Sequence, residues 1–383
     1  MTRPALRSPL SAPEVAIVGG GIIGVSVAYY AAKRGASVAL FEAGTLSSGA
    51  SGAAAGMLNA QAEAHSPGAM LDLMLRSREM HHDLGPELYE ATGLDPEHVW
   101  AGTLRIAMDD EFAARLKKSH GWQTKRGLAA KLLSGDDARS LEAHISDEAL
   151  AGLFLPDDGQ VNPRRLVAAL AFAARRNGAY IAEHTPVRRL ILTGDAVGGV
   201  VTDAGEVSAG CVVLAGGFAT GALLAPLGVE VPVFPVRGET VTLGDAAHHL
   251  GANVWDAGCY IVPKRDGRVV IGATEDPGNP DRRPTLGGVS QLSSAAVKLL
   301  PGLSDATFSG AWGGLRPGTP DESPILGGAG GPDGLLLATG TYRNGILLSP
   351  AVGASVAALA VGEEPETDLS PFALSRFSEL SGA

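Results

Sequence analysis

Along this chain the spacing of apolar residues changes period several times, and each change marks an element. Residues 15–18 form a short apolar run that ends at Gly19-Gly20-Gly21. Residues 22–34 then carry helical spacing up to Gly35, and a second apolar run at 37–41 ends on Glu42. Strand, glycine turn, helix, strand is a βαβ unit, whose two strands are parallel because the helix returns the chain to the same end. Residues 43–56 are almost wholly Gly, Ala, Ser and Thr. Such a stretch is either a flexible linker or a loop that hugs a ligand, and its place directly behind a βαβ unit favours the loop. Helical periodicity returns at 68–92, 109–126, 164–177 behind Pro163, 290–300 and 350–361. Strand patterns fall at 99–108, 180–183, 187–192, 197–202 and 211–215, and continue around Val241, Ile261 and Val269. Residues 311–345 are glycine-rich, and no internal repeat is evident.

The βαβ-like features lie at the start, around 163–217 and near the end, with meander-like strands between them. The expected fold is therefore α/β: a Rossmann-like nucleotide-binding domain from residues 1–85, 160–222 and 316–383, and a second, mostly antiparallel β-sheet domain from 86–159 and 223–315. A length of 383 residues suits two such domains. Glycine, at 52 residues, is about twice its usual ~7% share, which points to tight turns or close backbone–ligand contacts. The net charge of −11 without a basic tract argues against a nucleic-acid partner. Cys211 and Cys259 are too few for a disulfide framework and sit in strand patterns as small hydrophobes. No uninterrupted apolar stretch reaches the ~18 residues of a membrane span, so the chain reads as soluble and cytoplasmic. His81-His82 and His248-His249 are adjacent pairs without a third ligand at metal spacing, which fits solvated or satisfied histidines and no metal site.

Candidate chemistry begins at the first turn. Gly19, Gly21 and Gly24 have G-x-G-x-x-G spacing between a strand and a helix. The first glycine permits the turn, the second admits a pyrophosphate, and the third lets helix and strand pack closely. Glu42 ends the second strand, where a carboxylate can accept both hydroxyls of a ribose. That charge disfavours a 2′-phosphate and hence NADP. The motif alone does not separate NAD from FAD.

Six further blocks carry a resemblance: ASGAAAGMLNAQAE at 50–63, VFPVRGE at 233–239, CYIVPK at 259–264, IGAT at 271–274, WGGLRPGTPD at 312–321 and ATGTYRNGILL at 338–348. In this order the chain resembles the glycine oxidases of thiamine-biosynthesis type among the D-amino-acid-oxidase-like FAD-dependent oxidoreductases, over about residues 15–353. The resemblance implies one non-covalent FAD. Ile22 and Ile23 would receive its pyrophosphate, and Glu42 with Ala43 its ribose. Ala50, Ser51, Ala55, Gly56 and Met57 would run beside the phosphates and flavin, the Val187 backbone would hold the adenine, and Ala215-Gly216 would lie near the cofactor. Thr341, Tyr342, Arg343, Asn344, Gly345, Ile346 and Leu347 would wrap the pyrimidine side of the flavin.

For the substrate, the same resemblance points to Arg316, Arg343 and Tyr260. A guanidinium between Leu315 and Pro317 offers a planar fork for a carboxylate, and Tyr260 can direct its hydroxyl at the same group. The implied reaction takes glycine, sarcosine or a small D-amino acid, transfers hydride to the flavin and releases an imine. Hydrolysis gives the 2-oxo acid and ammonia, and O₂ becomes H₂O₂; the imine can instead feed assembly of the thiamine thiazole ring. The resemblance also suggests a homotetramer. Alternatives are a dehydrogenase that passes electrons to a quinone or carrier, and a non-catalytic dinucleotide-binding regulator. Two positions depart from the family pattern: Thr341 stands where His is frequent, and Glu275 follows Gly-Ala-Thr where an apolar residue is expected. A carboxylate there can repel a substrate carboxylate or attract its amine.

Overall fold

The computed structural model describes residues 12–246 and 250–377. The first strand, Val15–Val18, is buried at every position because both of its faces are covered, which is why it reads as a continuous apolar run. It sits inside a six-stranded sheet in the order Ile325–Gly328, Leu335–Thr339, Cys211–Leu214, Val15–Val18, Val38–Phe41, Tyr180–Ala182. All of these run parallel except the edge strand Ile325–Gly328. Val15 and Ile17 point into a core shared with the helices Ile22–Lys33, Ala69–Thr92, Pro163–Arg176 and Gly345–Ala360. Ala16 and Val18 point the other way, onto a three-stranded antiparallel sheet of Val187–Thr193, Ala196–Thr202 and Gly205–Ser208. Period-two alternation thus fills two cores from one strand.

A second, nine-stranded sheet is antiparallel except where Asn253–Trp255 pairs with Thr103–Ala107. Its long strands Phe234–Gly244 and Thr307–Gly318 pair along their length, and the helix Leu286–Leu299 packs in the same core. No described helix is long and apolar enough to cross a membrane.

Several sequence expectations shift. The strand expected at 99–108 covers only Thr103–Ala107, because Gly102 turns the chain with φ 82°. The helix expected at 290–300 starts earlier, at Leu286, where the Thr285 hydroxyl caps the Gly288 N–H. Within the glycine-rich 311–345 region lie most of Thr307–Gly318 and all of Ile325–Gly328 and Leu335–Thr339. Thr307–Gly318 runs unbroken through the expected boundary at 315/316, and Ala69–Thr92 through that at 85/86.

The closing helix begins at Gly345, five residues before the expected start at Pro350. A proline inside a helix removes the N–H that would reach the carbonyl four residues back, here that of Ile346. The Ser349 hydroxyl and His81 Nε2 supply donors to that carbonyl instead, at 2.9 and 3.1 Å. Ser77 and His81, one turn apart on Ala69–Thr92, both also donate to the Leu347 carbonyl. The helix therefore continues past its proline because its neighbour satisfies the freed oxygens.

Candidate active site

The glycines of the first turn divide their work as the motif requires. Gly19 has φ 113°, and a Cβ there would lie 2.5 Å from the Ala215 carbonyl oxygen. A Cβ on Gly24 would lie 2.0 Å from the Gly19 oxygen, so Gly24 seats the helix on the strand and stands behind the cavity wall. Gly21 begins the helix Ile22–Lys33 without a side-chain cap, and the Ser51 hydroxyl accepts the Ile22 N–H at 2.9 Å. Glu42 accepts the Gly20 and Gly44 N–H groups at 2.6 and 2.7 Å, one on each carboxylate oxygen. Its orientation is thus fixed by the backbone, with lone pairs left over for hydroxyl donors.

The small-residue segment is no flexible linker. It holds a one-turn helix, Ala50–Ala53, and side chains from the helix Pro163–Arg176 and from the second sheet grip its carbonyls. Arg164 Nε donates to Gly52 at 3.0 Å, Trp312 Nε1 to Ala53 at 3.0 Å, and Lys264 Nζ to Ala55. Gly56, with φ 87°, passes so close to Val161 that a Cβ would meet its oxygen at 2.1 Å. Burial pushes the Lys264 ammonium down to about 7.

These pieces wall a cavity of about 620 Å³, inside the roughly 300–1,000 Å³ range of small-molecule sites. Gly19, Gly21, Ile22, Ile23, Glu42, Ala43, Ala50, Ser51, Ala55, Gly56, Met57, Val187, Ala215 and Gly216 line it. So do Tyr260, Arg316 and Thr341 through Ile346, which include the first residues of the closing helix. Of the residues expected at the site, only Gly24 and Leu347 lie outside the lining; Leu347 is buried behind it.

The two candidate arginines differ in their company. Arg316 donates to the Thr274 carbonyl at 3.1 Å and has no carboxylate within ion-pair distance among the described residues. Its guanidinium lies flat over Gly238, where a Cβ would sit 2.5 Å from Nη1. The Tyr260 ring likewise rests on Gly272, with a Cβ position 2.4 Å from the hydroxyl. Burial raises the pKa of that hydroxyl, which bonds to Thr240 and Arg316. Arg343 instead meets Glu275 at 2.9 Å, Glu322 at 3.3 Å and Glu63 at 3.4 Å. Burial opposes its charge, but the three carboxylates outweigh it and hold the guanidinium protonated.

Glu63 is the residue that motif reading passed over. It is the single ionisable side chain in the block at 50–63, lines the cavity, and is buried enough to lift its carboxyl above the usual range despite Arg343. Cys211 and Cys259 are buried free thiols, both pushed up by burial, Cys211 to about 12, which makes neither a nucleophile. His81 is buried and satisfied, and His82 stacks on Trp100. His248-His249 lie outside the described residues. Among the described residues no His, Cys, Asp or Glu group could hold a metal.

Residues 14–359 match the family described as FAD dependent oxidoreductase. A glycine oxidase of Geobacillus kaustophilus (strain HTA426) is 42% identical over 366 residues, covering 95% of this chain and 97% of that protein. The bifunctional protein ThiO/ThiG of Synechocystis sp. (strain PCC 6803) is 35% identical over 95% of this chain, which spans 54% of that protein. The crystal structure of a Geobacillus kaustophilus glycine oxidase superposes with a TM-score of 0.93 at 39% identity, covering 96% of this chain and 99% of that one.

Proposed function

This chain belongs to the FAD dependent oxidoreductase family, and from that premise we propose that it oxidises the amine of glycine and other small amino acids, with O₂ as electron acceptor. The observation that carries the reading is Arg316, a guanidinium without a carboxylate partner among the described residues, in the same cavity as the glycine turn and Glu42.

The residues present fit the cofactor. The glycine cradle at Gly19 leaves no room for a side chain, the helix N-terminus, whose N-cap Gly21 brings no side chain, favours phosphate, and Glu42 is preset for ribose hydroxyls. Ile22, Ile23 and Ser51 would hold the pyrophosphate, and Val187 the adenine. The small loop Ala55-Gly56-Met57 would face the flavin ring, with the closing helix N-terminus, also without a side-chain cap, directed at its electron-rich edge. Bound without a covalent link, FAD would supply a two-electron acceptor for the hydride lost from the substrate carbon, and its reoxidation, with a proton, would reduce O₂ to H₂O₂.

This chain's own side chains do the orienting. Arg316 and Tyr260 would hold the substrate carboxylate, a two-pronged contact plus a hydroxyl that fixes which hydrogen of Cα is presented. The amine must be neutral as hydride leaves, so that its lone pair forms the imine. Release to water gives the 2-oxo acid and ammonia; retention would supply an imine for the thiamine thiazole ring. The parallel sheet with its helices would serve as the cofactor domain and the nine-stranded sheet as the substrate domain, in a cytoplasmic homo-oligomer.

Purified protein mixed with glycine in air should consume O₂ and produce ammonia and H₂O₂ in equal amounts. Flavin reduction by glycine without O₂ consumption would instead assign a carrier-linked dehydrogenase, and no reduction by any small amine would sink the reading.

A further inference from the structure

Among the described residues four guanidiniums line the cavity, and two of them are paired with acids. Arg188 pairs with Asp203 at 2.7 Å, and Arg282 donates to the Ser48 carbonyl beside the small-residue loop. Arg343 is held by Glu63, Glu275 and Glu322. Among the described residues Arg316 and Arg282 have no carboxylate within ion-pair distance, and of the two Arg316 is the one beside Tyr260. The two substrate-side arginines are also tied to one connecting segment, since Arg316 donates to the Thr274 carbonyl and Arg343 to the carboxylate of the next residue, Glu275.

Glu275 and Glu322 outnumber Arg343 even when Glu63 carries a proton, so the Arg343 side of the cavity has surplus negative charge. Arg105 faces Glu63 from behind, between the Phe112 and Trp255 rings, and does not reach the lining. Glu275 and Glu322 are 42% and 55% exposed at the side chain and hold Arg343 from outside the lining, at the solvent side.

Building on the function proposed above, we propose that Glu275 and Glu322, by occupying Arg343, restrict the site to amines with a single carboxylate. One carboxylate finds Arg316. A second anionic group finds a guanidinium already paired and carboxylates of its own sign. Glycine and sarcosine pass this filter, whereas iminodiacetate or an amino dicarboxylate does not. Neutralising Glu275 acts twice in the same direction, by removing a repelling charge and by releasing one prong of Arg343.

The test compares glycine with iminodiacetate as substrates of the holoenzyme, in wild type, Glu275→Gln, Glu275→Asp and Glu322→Gln. Glu275→Gln should narrow the glycine preference in kcat/KM roughly 5- to 50-fold, the span for one charge at a partly solvated site, mainly through KM for iminodiacetate. Glu322→Gln should act in the same direction and Glu275→Asp should keep the wild-type ratio. Malonate and acetate, titrated against the flavin spectrum, give the same comparison without turnover: the Kd ratio should move toward malonate in the Gln variants. Unchanged ratios in both Gln variants, for substrates and for the two inert acids, would overturn the filter. If no amine is oxidised at all, the proposed function fails while the malonate-to-acetate ratio still decides the filter.

Discussion

Arg316 stands on a strand that also carries Gly313 and Gly314, opposite Gly238, and its guanidinium occupies the space that Gly238 leaves. Removing one partner of a buried charge pair costs roughly 2–5 kcal/mol, or about 25-fold to several thousandfold. Arg316→Ala should therefore lower kcat/KM for glycine by that factor, and Arg316→Lys should recover only part of it, since an ammonium lacks the fork. Flavin content should stay near wild type, and benzoate should no longer perturb the flavin spectrum of the Ala variant. Normal kcat/KM, or loss of flavin with activity, would make Arg316 structural. At this scale the glycine triplet and Glu42 were legible, because their chemistry is written within one βαβ unit. Gly238 and Gly272 were not, since a glycine in a strand does not announce which distant side chain rests on it. Nor were the partners of Arg343, because Glu63 lies 280 positions away in sequence and meets it only through folding.

The helix Ala69–Thr92 supports the closing helix where Pro350 breaks the backbone ladder, and His81 is the centre of that support. Its Nε2–H donates to Ile346 and Leu347, so its Nδ1 must accept from His98 Nε2 at 3.1 Å. Both rings are held neutral by burial, which pushes His81 down to about 3 and His98 to about 4. Above the unfolded value of about 6.5 neither state binds these protons, so the brace is at full strength there. Below it the unfolded chain gains protons the folded chain refuses, and stability falls by up to about 1.4 kcal/mol per pH unit for each histidine. Urea unfolding of His81→Gln should then lose less stability than wild type between about pH 6 and pH 4.5, although the variant is weaker at neutral pH. Parallel curves would mean His81 does not titrate on unfolding. Helix existence was legible here from apolar spacing, but the helix start was not, because proline most often opens a helix and the compensating donors come from another element.

Across the whole molecule, one cavity is assembled from the first βαβ unit, the loop behind it, the strand end at Ala215, two long strands of the second sheet and the start of the closing helix. Order along the chain made the three-part parallel sheet legible. The extent of Thr307–Gly318 was obscured by its glycines, which lower strand propensity while the register with Phe234–Gly244 sustains it. The central claim is that this cavity holds a flavin along its glycine arm and a substrate carboxylate at Arg316. Its most direct test is glycine added to the purified protein without oxygen, with the flavin absorbance followed. The wild-type flavin should bleach, and Arg316→Ala with equal flavin content should bleach far more slowly or only at much higher glycine. A colourless protein that binds NAD, a flavin that stays oxidised with every small amine, or equal bleaching in the two proteins would contradict it.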